Sequence, residues 1–208
     1  MAMNKDKKQK TVSMKDGRVR RGTRNHEAIM QALSDLINET HLPPSIADIA
    51  QRAGVGTRTI FRQFEDVETL YQKISERVLR DVTSMPFPTA PSGDLEHDLR
   101  MLVARRARIF EHIMPFRHAG QLVRHQSAFL QKQNETVIQI FRTALMAVVS
   151  PHIGDAACNI IEALDTLLSF EAWDRLRCQQ KLNSKQAEHV LADAALVLAK
   201  SAVGMKES

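Results

Sequence analysis

The chain has 208 residues, of which 43% are hydrophobic, 25% charged and 5% aromatic, and it carries a formal net charge of +5. That is enough apolar material for a real core, while 8 Gly, 7 Pro and few aromatics argue against a β-sandwich or barrel. Uninterrupted apolar runs of about 18 residues are absent, so no membrane span is expected. Cys158 and Cys178 are too few for a disulfide framework and stand in no metal-type spacing. With a charged start and no hydrophobic stretch behind it, the expectation is an intracellular, cytoplasmic protein.

The charge is uneven. Residues 1–24 hold nine Lys/Arg against two Asp, whereas the rest is close to balanced. Residues 1–22 therefore read as a flexible basic tail of the kind that binds nucleic-acid phosphate or only solubilises.

From Thr23, a candidate cap, the apolar residues Ile29, Ala32, Leu33, Leu36 and Ile37 fall on one face of a helix that Pro43-Pro44 stops. Ser45 and Asp48 have capping-box spacing ahead of a helix over 46–53, and Gly54 suits its left-handed end. After Gly54-Val55-Gly56, Thr57 is a candidate cap for a short helix through Phe64, with Ile60, Phe61 and Phe64 as its anchoring side. Asp66 caps the next helix, which runs over 67–82 with Val67, Leu70, Tyr71, Ile74 and Val78 on one face. The stretch 83–93, with three prolines, reads as a linker.

Beyond it the helices lengthen. Asp94 caps one that Pro115 is expected to break near Met114, and a shorter piece covers 116–125. Ser127 opens another, closed by Pro151 and Gly154. Asp155 starts one to about Cys178, and Ser184 caps the last, which ends before Gly204. None of these segments alternates cleanly, so the fold class is all-α with about nine helices: a helix-turn-helix head over 23–66, a connector over 67–82 and a helical body over 94–208.

The pair of helices around Gly54-Val55-Gly56 has the dimensions of a DNA-binding helix-turn-helix, although three packed helices of any α-domain share that spacing. In the former reading the first helix offers its amides and the Ser45 hydroxyl to phosphate. The second sets Gly56, Thr57, Arg58, Thr59 and Arg62, small or donor-rich, against base edges in the major groove.

The stretch from Ser45 to Phe64, SIADIAQRAGVGTRTIFRQF, closely resembles the N-terminal signature of the TetR family of transcriptional regulators. The match extends back to Thr23-Arg24 and forward through Glu68 and Leu70. It implies a homodimeric, ligand-responsive regulator, most often a repressor, that binds a pseudo-palindromic double-stranded operator and is released by a small-molecule inducer. Arg24 then joins the DNA-facing set. Phe61 stands where the family usually has a Tyr that touches phosphate, and Val67 where it usually has a Lys. Arg58, Arg62 and the basic tail can compensate; a regulator-like sensing or interaction module with weak or lost operator binding is the alternative.

The resemblance also implies an inducer pocket in the body. The segment around Pro115 and the polar stripe of the 156–170 helix supply Phe110, His112, Met114, Phe116, His118, Phe129 and Glu162 as its candidate lining, though plain core would look the same. The pocket is low in charge, so an apolar or amphipathic ligand is expected. SFEAW over 169–173 and the final helix resemble the family's dimer-forming last two helices, with Leu164, Leu168, Leu191, Ala194 and Leu198 as interface candidates; an intramolecular packing face would read alike. His112, His118 and His125 come without a metal-binding spacing, so no metal is expected. There is no nucleophile elbow, P-loop or dinucleotide fingerprint either, so no cofactor and no enzymatic activity are expected.

Overall fold

A computed structural model describes residues 5–85, 92–153 and 158–206. Among them are nine α-helices and no strand: α1 (Lys5–Thr40), α2 (Ile46–Ala53), α3 (Thr57–Gln63), α4 (Val67–Ser84), α5 (Leu95–Val123), α6 (Ala128–Ile153), α7 (Cys158–Leu167), α8 (Phe170–Asp174) and α9 (Ser184–Lys206). A 3₁₀ turn, Arg124–Gln126, follows α5, and a π-helical turn, Arg175–Gln179, continues α8. The linker residues 86–91 and the helix punctuation at Gly154 and Asp155 lie outside the described residues.

The chain divides into two compact units. One comprises the residues up to Arg80 together with Pro115–Ser127, and the other Asp81–Met114 with Ala128 onward. In the first unit, the α1 stripe predicted from the sequence delivers Ile29, Leu33 and Ile37 to a core shared with Ile49 and Ala50 of α2, Ile60 of α3, Phe64, and Leu70 and Ile74 of α4. Ala119 belongs to the same core, and Phe116 packs against it. His26 stacks on Phe64 with ring centroids 4.8 Å apart.

Helix α1 begins at Lys5, eighteen residues before Thr23. Thr23 is therefore interior to the helix and caps nothing; its hydroxyl donates to the Val19 carbonyl at 3.2 Å, the back-bond open to Thr inside a helix. The residues ahead of it are largely Lys, Arg, Gln and Met, all good helix formers, with no proline to stop propagation.

In the second unit, α9 packs on α6, on α7 and on the π-helical turn. Leu99, Leu102, Val103 and Phe110 of α5, Leu145 and Val149 of α6, Leu164 of α7, Trp173 of α8 and Leu191 of α9 are buried. The Trp173 indole donates to Glu111 Oε1 at 2.9 Å, and Arg177 Nε to the same oxygen at 2.7 Å. Arg177 also donates to the Leu182 carbonyl, which secures the turn into α9.

Several expected boundaries move. Pro115 lies inside α5 and does not break it. The lost N–H and the ring clash cost about 3 kcal/mol in a helix interior, which the burial of Ile113, Met114 and Ala119 on both sides outweighs. Pro151 is likewise inside α6. The long helix expected to run to Cys178 is divided after Leu167, where Ser169 caps α8 by accepting the Ala172 N–H at 3.2 Å. The last helix is capped by Asn183, which exchanges bonds of 2.9 Å with Gln186 in both directions, so Ser184 is its first helical residue. It runs to Lys206, past Gly204.

By length and composition α6 could cross a membrane. Scattered polar residues hide such a helix from a search for uninterrupted apolar runs. Here Leu145, Val148, Val149 and Ile153 are buried, and Arg142 is ion-paired to Glu162 and Asp165.

Candidate nucleic-acid interface

The helix-turn-helix rests on two local devices. Ser45 and Asp48 form the full capping box: the Asp48 N–H donates to the Ser45 hydroxyl at 3.1 Å, and the Ser45 N–H to the Asp48 carboxylate at 3.3 Å. The Ser45 hydroxyl also donates to that carboxylate at 2.6 Å, so its hydrogen is committed within α2. At the other end Gly54 has φ +65, the left-handed conformation in which a Cβ is strained. Its N–H reaches Gln51 O at 3.2 Å, and the Val55 N–H reaches Ala50 O at 3.0 Å, the paired bonds of a Schellman stop.

Gly56 caps α3 with ordinary extended backbone and contributes no side-chain bond. A Cβ there would meet nothing within 4 Å. Neither backbone nor space within the chain demands glycine, and Thr57 is the first helical residue, not the cap.

Helix α3 has two distinct sides. Ile60 is 1% exposed, and Phe64 beyond it is equally buried. Thr57, Arg58, Phe61 and Arg62 are exposed and Thr59 half-exposed. Phe61, placed by its spacing on the anchoring side, is in fact 50% exposed and lies with the arginines. Aromatic character suggested burial, but position 61 follows Ile60 by one residue, about 100° around the helix, and the core has room only for the Ile60–Phe64 side. Neither Arg58 nor Arg62 is ion-paired among the described residues. Arg24 is exposed on α1. Asp66 caps α4 through the Thr69 N–H at 2.7 Å, a bond that holds its carboxyl below the usual range, and Val67 is exposed beside it.

The chain shares its fold with a solved regulator. A transcriptional regulator from Rhodococcus sp. Rha1 superposes with a TM-score of 0.63, covering 85% of this chain and 97% of that one at 20% identity. No family model and no curated protein matches the sequence.

The residues proposed for an inducer pocket divide between the units. Phe116 and His118 lie in the first, where His118 Nδ1 stands 3.1 Å from His41 Nδ1. Phe110, His112, Met114, Phe129 and Glu162 lie in the second. There Phe110 is deep core, edge-on to Phe141 and Phe170 at 5.2 and 5.7 Å. Met114 is buried and Phe129 half-buried. His112 Nε2 is 3.6 Å from an Asp81 carboxylate oxygen. Glu162 is exposed, and Arg142, its bidentate partner, holds its carboxyl below the ordinary range. The polar stripe to which Glu162 belongs is therefore a solvated edge, with Asn159 and Thr166 also exposed.

Of the dimer candidates, Leu164, Leu168 and Leu191 are buried within the single chain and present nothing to a partner. Ala194 and Leu198 are half-exposed. Among the described residues, Val190 and Val197 are the outward apolar side chains of α9, the latter 70% exposed. Periodicity finds apolar positions on a helix with two apolar sides but cannot say which side faces its own core.

Proposed function

We propose that this protein is a DNA-binding transcriptional regulator of the TetR type: a homodimeric repressor that a small-molecule inducer releases from a pseudo-palindromic operator. The observation that carries the reading is α3, a short helix after a Schellman-closed turn, with Thr57, Arg58, Phe61 and Arg62 outward and uncommitted to the core. Exposed arginines on the outward side of such a helix, Arg58 in its first turn and Arg62 in its last, suit base edges and phosphates in a major groove. Open space around Gly56 supports a backbone that approaches DNA closely. The shared fold with a transcriptional regulator is consistent with this. The outward Val190 and Val197, with the half-exposed Ala194 and Leu198 beside them, support a self-association face on α9. Two heads on a two-fold axis match a two-fold operator.

A gel shift with the DNA upstream of the protein's own coding region tests the reading. Each of Arg58→Ala and Arg62→Ala should cost about 1–3 kcal/mol if the side chain reads a base, and should relax specificity at one position. A double variant that binds as tightly as the wild type would refute the docking.

A second reading has its own observation. Phe61 and Val67 are exposed and apolar where related regulators contact phosphate, which favours a sensing module without operator binding. The same gel shift separates the two, since the module would retain no fragment at physiological salt.

A further inference from the structure

Arg106 of α5 is the most deeply buried cation described in the chain, 3% exposed. It occupies a core register of α5: Leu99, Leu102, Val103, Ile109 and Phe110, all buried, lie at the helical spacings around it. Its guanidinium donates from Nη1 to the Leu168 carbonyl at 2.6 Å and from Nη2 to the Phe141 carbonyl at 2.5 Å. Both partners are neutral. The Nε–H is buried and has no partner. The Phe141 ring lies 5.3 Å from the guanidinium carbon. Asp165 acts on Arg106 only through its field; its carboxylate is bonded by Arg142 at 3.2 Å. Burial pushes the Arg106 pKa down to about 10, so the group stays charged at neutral pH.

A buried guanidinium without a bonded anion is an expensive way to fill a core position, because desolvation is repaid only by a well-placed opposite charge. Two carbonyls would account for a polar side chain here. They do not account for a full charge with its Nε donor left over. The fork lacks one partner, and its geometry specifies a two-oxygen anion that accepts from Nε and a neighbouring Nη together. The Phe141 ring beside it also packs edge-on against Phe110, and Phe110 in turn meets Phe170 and Trp173, an aromatic cluster that suits the body of an apolar molecule. Of the present acceptors, Phe141 O bonds Nη2, the nitrogen on the Nε–H side of the guanidinium, so it is the carbonyl that shares this fork with an incoming anion, while Leu168 O stays on Nη1.

We propose that Arg106 is the anion anchor of this unit, and that the ligand class is an organic acid with an aliphatic or aromatic body rather than a neutral apolar compound. The proposal rests on the reading of the C-terminal unit as a ligand-binding body. The carboxylate takes the Nε and Nη2 hydrogens, and the body lies against the aromatic cluster.

The experiment compares octanoate and naphthoate with their neutral amides on the full-length protein. Calorimetry should give the acids about tenfold or greater preference, as a charge-assisted pair implies. That preference should vanish in Arg106→Met, and the wild-type Arg106 Nε–H signal, assigned by comparison with Arg106→Lys, should move on saturation with acid and stay in place with amide. Equal binding of acid and amide, a preference that survives in Arg106→Met, binding of neither compound, or an unmoved Nε–H signal would each overturn the proposal. If Arg106→Met fails to fold, the wild-type signal decides alone. Amides that bind and weaken operator binding would sink the anchor and leave the ligand-responsive regulator standing. An acid that shows the full preference without affecting any DNA fragment would sustain the anchor and sink the regulator.

Discussion

The two sides of α3 make opposite predictions for adjacent residues. Ile60→Ala removes three carbons from a side chain that is 1% exposed. At about 0.8 kcal/mol per buried carbon the transfer loss is about 2.4 kcal/mol, and the cavity brings the cost to about 3–4 kcal/mol. Phe61→Ala removes a larger side chain that is half in water and should cost less than about 1 kcal/mol. Urea unfolding followed by circular dichroism measures both against the wild type, with the slope checked for constancy. In the gel shift the order reverses. Folded Ile60→Ala protein should bind DNA nearly as the wild type does, while Phe61→Ala should bind measurably less. If Phe61→Ala is as destabilising as Ile60→Ala, the outward orientation of Arg58 and Arg62 fails with it, and the proposed docking loses its basis.

Other substitutions test other parts. Val197→Glu should leave the fold intact and yield a monomer by light scattering, whereas Leu191→Glu, a charge buried within one chain, should abolish folding; a dimeric Val197→Glu protein would move the interface off this face. Removing residues 1–18, which hold six Lys/Arg, should flatten the plot of log affinity against log salt by up to about 0.9 for each phosphate no longer neutralised; an unchanged slope would make the segment a solubility device. The Asp98 carboxylate accepts the Ser92 N–H at 2.9 Å and the Gly93 N–H at 3.2 Å, and these bonds hold its pKa below the unfolded value. That stabilisation is present above the unfolded pKa, near 4, and is lost as pH falls through the folded one. Asp98→Asn should therefore reduce stability at pH 7 and shrink its loss on acidification; an undiminished acid loss would assign that loss to other carboxylates.

What the sequence made legible follows the range of the interactions. The Ser45–Asp48 box, the Gly54 stop and the Asp66 cap are encoded within a few residues, and all three stand where spacing placed them. The core stripe of α1 was equally readable. Features that depend on distant segments were not. The continuity of α5 through Pro115 rests on burial that no local signal reports, and the His41–His118 pair joins residues 77 apart in sequence. Leu191 and Val197 are both apolar α9 residues, and only the packing of α9 on α6 and α7 says which one faces solvent. Arg106 did leave a trace: a cation in the register of Leu102, Val103 and Phe110 conflicts with the pattern around it, and such conflicts mark sites of function or strain.

The division of labour around α3 also bears on how such a protein can be changed. The turn is held by Ser45, Asp48 and Gly54, and the helix by Ile60 and Phe64, while Thr57, Arg58, Phe61 and Arg62 contribute little to either. Outward positions can therefore accept varied side chains at small thermodynamic cost. A combinatorial library restricted to those four positions should stay almost entirely foldable, so that a selection from it samples recognition rather than survival. The same library moved one residue, to include Ile60, should lose most of its members before any binding is assayed.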